Sequence, residues 1–238
     1  MRFWTAILVI FLAISLGACS MRPRRAVVPE TFIMDFSLEG LKKRRAFEGI
    51  ESLRAEVKAR ISRDGRKVAS FKGALAYRPP DTMRLRMFTP FGTTAADLVR
   101  VVGRTEIYVP GKDNLYVGWT PAITIPDDAE FRIGLDKGRP VLAVFSRGEV
   151  TARYLYDRQT GENLLVETFS GGQRALLVRF GNYAGSVPGL IEFDFGDLQV
   201  EMELRDPEVG VELEDRLFHP FDKEDKKVLP LGRIFMKD

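Results

Sequence analysis

The residue with the most distinctive chemistry is Cys19, the only cysteine in a chain of 238 residues. A lone thiol cannot form an intramolecular disulfide. It follows Arg2, an apolar run from Phe3 to Leu16, and two small residues. This order of basic start, apolar middle and small-residue end is typical of a secretory signal peptide. The run is shorter than the ~20 residues of a membrane-spanning helix, although a retained anchor helix is the alternative. We therefore predict that residues 1–18 are a signal peptide.

The four residues that end at Cys19 read Leu-Gly-Ala-Cys and resemble the bacterial lipobox. In lipobox proteins a signal peptidase cuts before the cysteine, whose thiol carries diacylglycerol. Several acyl chains hold a protein stably on a membrane, whereas a single chain holds it only marginally. Ser20 follows the cysteine, and serine at that position usually permits sorting to the outer membrane. We expect lipidation at Cys19, a lipidated tether over 19–37, and a location on the periplasmic face of the outer membrane.

Patterns that indicate catalysis or metal binding are absent from the sequence. It contains no nucleophile elbow, phosphate-binding loop or dinucleotide fingerprint. His219 is the only histidine and lacks the ligand spacing of a zinc site. The formal net charge of +3 is too balanced to favour nucleic acid. We expect no enzymatic activity, cofactor, metal or nucleic-acid partner. An envelope enzyme is the least favoured alternative, which a buried polar cluster with strongly shifted pKa values would revive.

Two segments carry patterns that predict helices. Apolar residues recur at roughly helical spacing from Leu38 to Leu53, which favours one amphipathic helix. In the segment 126–146, the sequence Pro126-Asp127-Asp128 is typical of a helix start. Gly138 and Pro140 divide that segment, so it should form two short helices or a helix and a loop.

Elsewhere apolar and polar residues alternate, which is the period of half-buried strands. The first alternating run begins at Leu53 and ends at an Asp64-Gly65 turn. A second run is stopped by Pro79-Pro80, and a third extends from Met83 to Met87. Further candidate strands lie near 95–102, 105–109, 114–119, 150–157, 163–169, 174–181, 189–195, 198–205 and 209–214. Because the turns between them are short, neighbours should pair as antiparallel hairpins in a sheet of about ten or eleven strands.

Together these elements predict an α+β fold. A wide antiparallel sheet has a large apolar face that must be covered. Two or three short helices cannot fill a strongly curled sheet, so we expect an unclosed half-barrel with an apolar hollow under a lid of short helices. The alternative is a well-filled barrel or sandwich, which periodicity does not exclude. The residues assigned to the lid are Phe131, Ile133, Leu142 and Phe145.

The segment TMRLRMFTPFGTT at Thr82–Thr94 resembles the LolA/LolB-like family, most closely its outer-membrane lipoprotein receptors of the LolB type. The preceding stretch, LRAEVKARISRDGRKVASFKGALAYRPP, fits the first hairpin of that family. The resemblance implies one domain over 38–238, a cavity for acyl chains, and a LolA-like periplasmic carrier as partner. In the LolB type, the hydrophobic residue of a Pro-hydrophobe-Gly loop protrudes and helps to deliver cargo to the membrane. Pro90, Phe91 and Gly92 occupy that loop here.

Elementary sterics agree with an exposed Phe91. The residue lies between a proline, which restricts the backbone, and a flexible glycine, so its side chain cannot easily fold back onto its own sheet. The alternative is that Phe91 packs under a neighbouring strand or under the lid. The candidate residues that line the acyl cavity are Val57, Ala59, Leu75, Met83, Leu85, Met87 and Leu115. Methionine suits adaptable apolar sites, although ordinary core packing is the simpler role for Met83 or Met87 taken alone.

The sequence therefore favours a monomeric, non-enzymatic receptor that accepts acylated lipoproteins from a soluble carrier and inserts them into the outer membrane. The alternative is a lipid-anchored interaction or assembly protein that has the same fold, a filled core and no role in lipid transfer. A cavity packed with large side chains would favour the second hypothesis.

Overall fold

The structure is a computed structural model that describes residues 37–119, 129–194, 198–231 and 233. The predicted signal peptide, Cys19 and the tether up to residue 36 lie outside the described residues. A short helix, α1, spans Leu38–Lys43, and two 3-10 helices span Pro110–Lys112 and Asp215–Phe218. The strands are β1 Leu53–Arg63, β2 Arg66–Arg78, β3 Thr82–Phe88, β4 Thr94–Val101, β5 Arg104–Val109, β6 Asn114–Trp119, β7 Glu130–Asp136, β8 Arg139–Ser146, β9 Glu149–Tyr156, β10 Asn163–Ser170, β11 Gln173–Ala184, β12 Val187–Asp194, β13 Leu198–Val209 and β14 Lys227–Pro230.

These strands form one 14-stranded sheet in the order β14-β6-β5-β4-β3-β2-β1-β13-β12-β11-β10-β9-β8-β7. Each consecutive pair from β1 to β6 and from β7 to β12 is an antiparallel hairpin. β14 pairs with β6 in parallel. The prediction of a wide, mostly antiparallel and unclosed sheet is confirmed, with more strands than predicted. Its half-barrel curvature stays a prediction.

The described residues divide into two compact units. Unit 1 contains residues 50–119 and 202–233, and therefore β1–β6, most of β13, and β14. Unit 2 contains residues 37–49, 129–194 and 198–201, and therefore α1 and β7–β12. The domain boundaries predicted from the sequence stay a prediction.

The predicted helical lid is wrong for the described part of 126–146. Residues 130–146 form the β7–β8 hairpin, and Lys137 and Gly138 both have the positive φ that its tight turn requires. Apolar and polar residues alternate over 131–136 as they do in a strand, although a helix-start pattern precedes them at Pro126-Asp127-Asp128. The four residues assigned to the lid lie on these strands instead: Phe131 and Ile133 on β7, and Leu142 and Phe145 on β8.

The structure differs from the predictions in three further respects. The helix expected from Leu38 to Leu53 ends at Lys43, and Phe47 has a φ of 64°, which no α-helix accommodates. The strand expected at 209–214 is absent beyond Val209, where β13 ends. β14 was not predicted, because its four residues are too few to display a period.

The short helix of unit 2 is held by packing and by one buried hydrogen bond. Ser37 caps α1 by accepting from the Gly40 amide at 3.0 Å. Leu41 packs with Leu142 and Tyr156 in a buried cluster. The Tyr156 hydroxyl donates to the Leu41 carbonyl oxygen at 2.8 Å. Six residues are too few for a stable isolated helix, so these contacts hold α1 in place.

Candidate functional site

The loop between β3 and β4 is a closed turn built by two threonines. The Thr89 amide donates to the Thr93 carbonyl oxygen at 2.8 Å, and the Gly92 amide donates to the Thr89 carbonyl oxygen at 3.0 Å. The two threonine hydroxyls also lie 2.8 Å apart. Gly92 has a φ of 81°, a conformation that favours glycine. The backbone of the loop is therefore bonded internally.

Phe91 projects from this turn into solvent. Its side chain is 93% exposed, the highest value among the large apolar residues that the structure describes as exposed. The Phe91 amide donates to the Thr89 hydroxyl at 3.3 Å, which helps to fix the backbone beneath the ring. The alternative that Phe91 packs under a strand or a lid does not match this position. The predicted role of Pro90, Phe91 and Gly92 in membrane insertion stays a prediction.

One face of the unit 1 sheet is apolar and buried. Directly paired residues on antiparallel strands point to the same side of a sheet. A row of such pairs joins Ala55, Leu75, Leu85, Leu98 and Ile107 across β1 to β5, and all five are buried. We call this side of the β1–β6 sheet the apolar face.

Six of the seven predicted cavity residues lie on the apolar face. Val57 and Ala59 belong to it through β1, Leu75 through β2, and Met83, Leu85 and Met87 through β3. Met83 is half-buried, whereas the other five are buried. The structure therefore places these six residues on one face of the sheet, and their role in binding acyl chains stays a prediction.

Leu115 is on the opposite side of the sheet, so its placement with the others is wrong. It pairs with Tyr108, which pairs with Asp97, and this row alternates with the apolar row. Leu115 and Tyr116 are both apolar and both buried. Their sequence therefore does not reveal which of the two points toward the apolar face.

The opposite side of unit 1 carries an ionic network that alternation alone did not reveal. Arg84 and Arg86 both bind the buried carboxylate of Asp97, at 2.7 and 2.9 Å. Arg84 also donates to the Leu217 carbonyl oxygen at 3.0 Å. The buried Glu106 carboxylate accepts from the Phe221 amide at 2.9 Å. The network thus holds the C-terminal segment 213–221 against this side. Only knowledge of the β3–β4 register would have predicted it.

The described residues offer little that resembles a catalytic or metal site. They contain no group of three or more potential ligands placed to hold a metal ion. Burial raises the pKa of Tyr156 and of Tyr183, but their hydroxyls donate to backbone carbonyl oxygens in unit 2. Across the described part of the chain, no helix combines the length and the hydrophobicity that crossing a membrane demands.

Comparison with known proteins shows the fold. No family model and no curated protein sequence matches this chain. A LolA superfamily protein from Nitrosomonas europaea is similar in structure, with a TM-score of 0.55, 11% identity, and coverage of 77% of this chain and 96% of that one. A putative outer membrane lipoprotein-sorting protein domain from Vibrio parahaemolyticus gives a TM-score of 0.55 at 13% identity, covering 76% and 93%.

A DUF1329 family protein from Desulfovibrio piger is also similar, with a TM-score of 0.53, 9% identity, and coverage of 72% of this chain and 90% of that one. At these identities the likeness shows a common fold and no shared activity. The expected LolA-type fold is therefore supported, whereas the closer resemblance to LolB-type receptors stays a prediction.

Proposed function

We propose that this chain is a lipid-anchored receptor at the periplasmic face of the outer membrane. It accepts acylated lipoproteins from a soluble LolA-like carrier and releases them into the bilayer. The observation that carries the proposal is the exposure of Phe91 on an internally bonded turn. The LolA-type fold and the lipobox sequence at Cys19 add support.

In this proposal, the apolar face of unit 1 binds the acyl chains of the cargo. Each methylene removed from water contributes about 0.8 kcal/mol, so even a partly buried chain is held firmly. Transfer from carrier to receptor needs no external energy if the receptor binds the cargo more tightly. Since Leu85 and Met87 are already covered within the chain, acyl chains must displace what covers them.

Phe91 acts at the second step, when the cargo leaves for the bilayer. A phenylalanine that is exposed in water gains about 2 kcal/mol when it is buried among lipid tails. This gain favours contact between the β3–β4 end of unit 1 and the membrane. A short-lived contact is sufficient, because the Cys19 lipid keeps the protein at the surface between transfers.

The test is transfer of an acylated lipoprotein from its periplasmic carrier into vesicles that hold the lipidated receptor. We expect Phe91→Glu to lower the rate of insertion at least tenfold. Val102→Glu is the matched control, because Val102 is also an exposed apolar residue in a turn of unit 1, at the other end of β4. It should leave the rate nearly unchanged. Equal rates for both variants would contradict the proposed role of the loop.

A second candidate is an anchored interaction protein that does not transfer lipids. The burial of Leu85 and Met87 favours it, because a covered face must open before an acyl chain reaches it. The same assay separates the two functions: an interaction protein would fail to accept cargo from the carrier with either the native sequence or the variants.

A further inference from the structure

The β1–β2 hairpin lies beside the Phe91 loop and is strongly basic. Phe88, the last residue of β3, pairs with Lys72 of β2. From there β2 leads back to the Asp64-Gly65 turn, about 20 Å away at the rise of a strand. The segment from Lys58 to Lys72 contains six basic residues and Asp64 as its only acid. It therefore has more net positive charge than the +3 of the whole chain.

Two pairs of like charges face each other across this hairpin. Lys58 pairs with Lys72, and Arg63 pairs with Arg66. Like charges directly opposite on neighbouring strands destabilise the pairing. Lys58 has Glu203 at 3.9 Å, but the side chains of Arg66, Lys67 and Lys72 are exposed at the surface. An external array of anions would relieve this repulsion.

The same stretch exposes an apolar side chain. Ile61 pairs with Ala69 and Ser62 pairs with Lys67, so Val68 is the extra residue of a β-bulge. Val68 has no cross-strand partner in this register and is 41% exposed. Basic residues that surround an exposed apolar residue are a combination that suits the interface of an anionic bilayer.

We propose that Arg66, Lys67, Val68 and Lys72 form a docking strip for anionic lipid head groups. Lipid is the occupant that fits best, because Lys72 at one end of the strip pairs with Phe88, three residues before Phe91. The exposed ring of Phe91 suits a bilayer rather than an aqueous polyanion. Phosphate groups would neutralise the basic side chains while Val68 and Phe91 enter the apolar region. The inference rests on the proposed contact between Phe91 and the membrane, and it adds the class of lipid that the contact selects.

The test uses the full lipidated chain anchored in vesicles, with a polarity-sensitive dye on Ser70→Cys. Ser70 is exposed between Val68 and Lys72. In vesicles of phosphatidylcholine mixed with phosphatidylglycerol, we expect the emission of the dye to shift to shorter wavelength. High salt should remove this shift. Phosphatidylcholine alone should give little shift. A shift that is independent of both lipid charge and salt would overturn the proposal. This measurement leaves the basic residues of the strip intact.

Reversing the charge of the basic residues tests whether they cause the lipid-dependent shift. The variant R66E/K67E/K72E should reduce the lipid-dependent shift at least tenfold. The control K137E/R147E/R158E makes the same change in net charge at exposed turn residues of unit 2 and should keep the shift. If both variants lose the lipid-dependent shift equally, net charge alone explains the shift, and the assignment of the strip is wrong.

The transfer assay separates this inference from the proposed function. If the strip variant accepts less cargo from the carrier but keeps its lipid-dependent shift, the strip binds the carrier protein and the lipid proposal is wrong. If the native protein accepts no cargo from the carrier while its lipid-dependent shift persists, the receptor function fails and the docking strip survives.

Discussion

Exposed apolar side chains are distributed unevenly between the two units, whereas buried charges occur in both. Among the described residues, six of the seven large apolar side chains that are exposed belong to unit 1, including Phe91, Val102 and Trp119. In unit 2 the corresponding set contains Leu38 alone, at 36%. Both units bury charged groups: Asp97 and Glu106 in unit 1, and Arg153 and Glu167 in unit 2. We infer that buried ionic contacts stabilise both units, whereas unit 1 in addition presents apolar side chains to a partner.

The largest expected effect comes from removing a buried charge in unit 2. Glu167 accepts from Arg153 at 3.1 Å and from Arg174 at 3.5 Å. Glu167→Gln removes the negative charge that compensates both guanidinium groups. It should lower the free energy of unfolding by about 3–5 kcal/mol. The exposed Glu203 pairs with Arg205, and Glu203→Gln should cost less than about 1 kcal/mol. Urea unfolding measures both, and equal costs would contradict the contrast between buried and exposed pairs.

The corresponding test in unit 1 is Asp97→Asn. The substitution weakens the bonds from Arg84 and Arg86, each a charge-assisted hydrogen bond, and should cost about 2–3 kcal/mol. Because Arg84 also holds Leu217, the C-terminal segment should become more sensitive to protease. Limited proteolysis with mass analysis of the fragments measures this. An unchanged cleavage pattern would indicate that the contacts between Asp97, Arg84 and Leu217 do not hold the segment.

The sequence predicts β1 to β6 well, because alternation and strong turn signals coincide there. The Asp64-Gly65 turn and the Pro79-Pro80 pair bound β2 within a residue or two. In the segment 126–146, by contrast, a helix-start signal precedes a strand and local patterns disagree.

The exposed Phe91 was predicted from its neighbours, since loop sterics are local. The position of Leu115 and the partners of Asp97 were not predicted, because both depend on register between strands. A period of two assigns a residue to a face only where apolar residues are not adjacent.

A smaller effect on unit 2 should follow from Tyr156→Phe. The variant loses the hydrogen bond to the Leu41 carbonyl oxygen and should cost about 1–2 kcal/mol. Burial raises the pKa of Tyr156, so the folded protein retains the phenol proton above the unfolded pKa of about 10. Stability should therefore fall as pH rises above about 10, and it should not depend on this group below that pH. The variant should lose less stability in alkali than the native protein, and an equal loss would contradict the account.

The smallest effect on stability should come from Phe91→Glu. The side chain is almost fully exposed, so the unfolding free energy should change by no more than about 0.5 kcal/mol. Thermal unfolding of the variant beside the native protein measures this. A large destabilisation would show that Phe91 packs within unit 1 and would weaken the contrast between the two units in exposed apolar side chains.

The central claim, that the apolar face of unit 1 binds acyl chains, is tested most directly by crosslinking from its two sides. Met83 and Val117 are both half-buried strand residues of unit 1, but their rows place them on opposite sides of the sheet. A photoreactive phenylalanine at either position can be activated during transfer of a lipoprotein that carries a labelled acyl chain. The account predicts that the label is captured from position 83 and not from position 117. Capture from neither position, or equally from both, would contradict it.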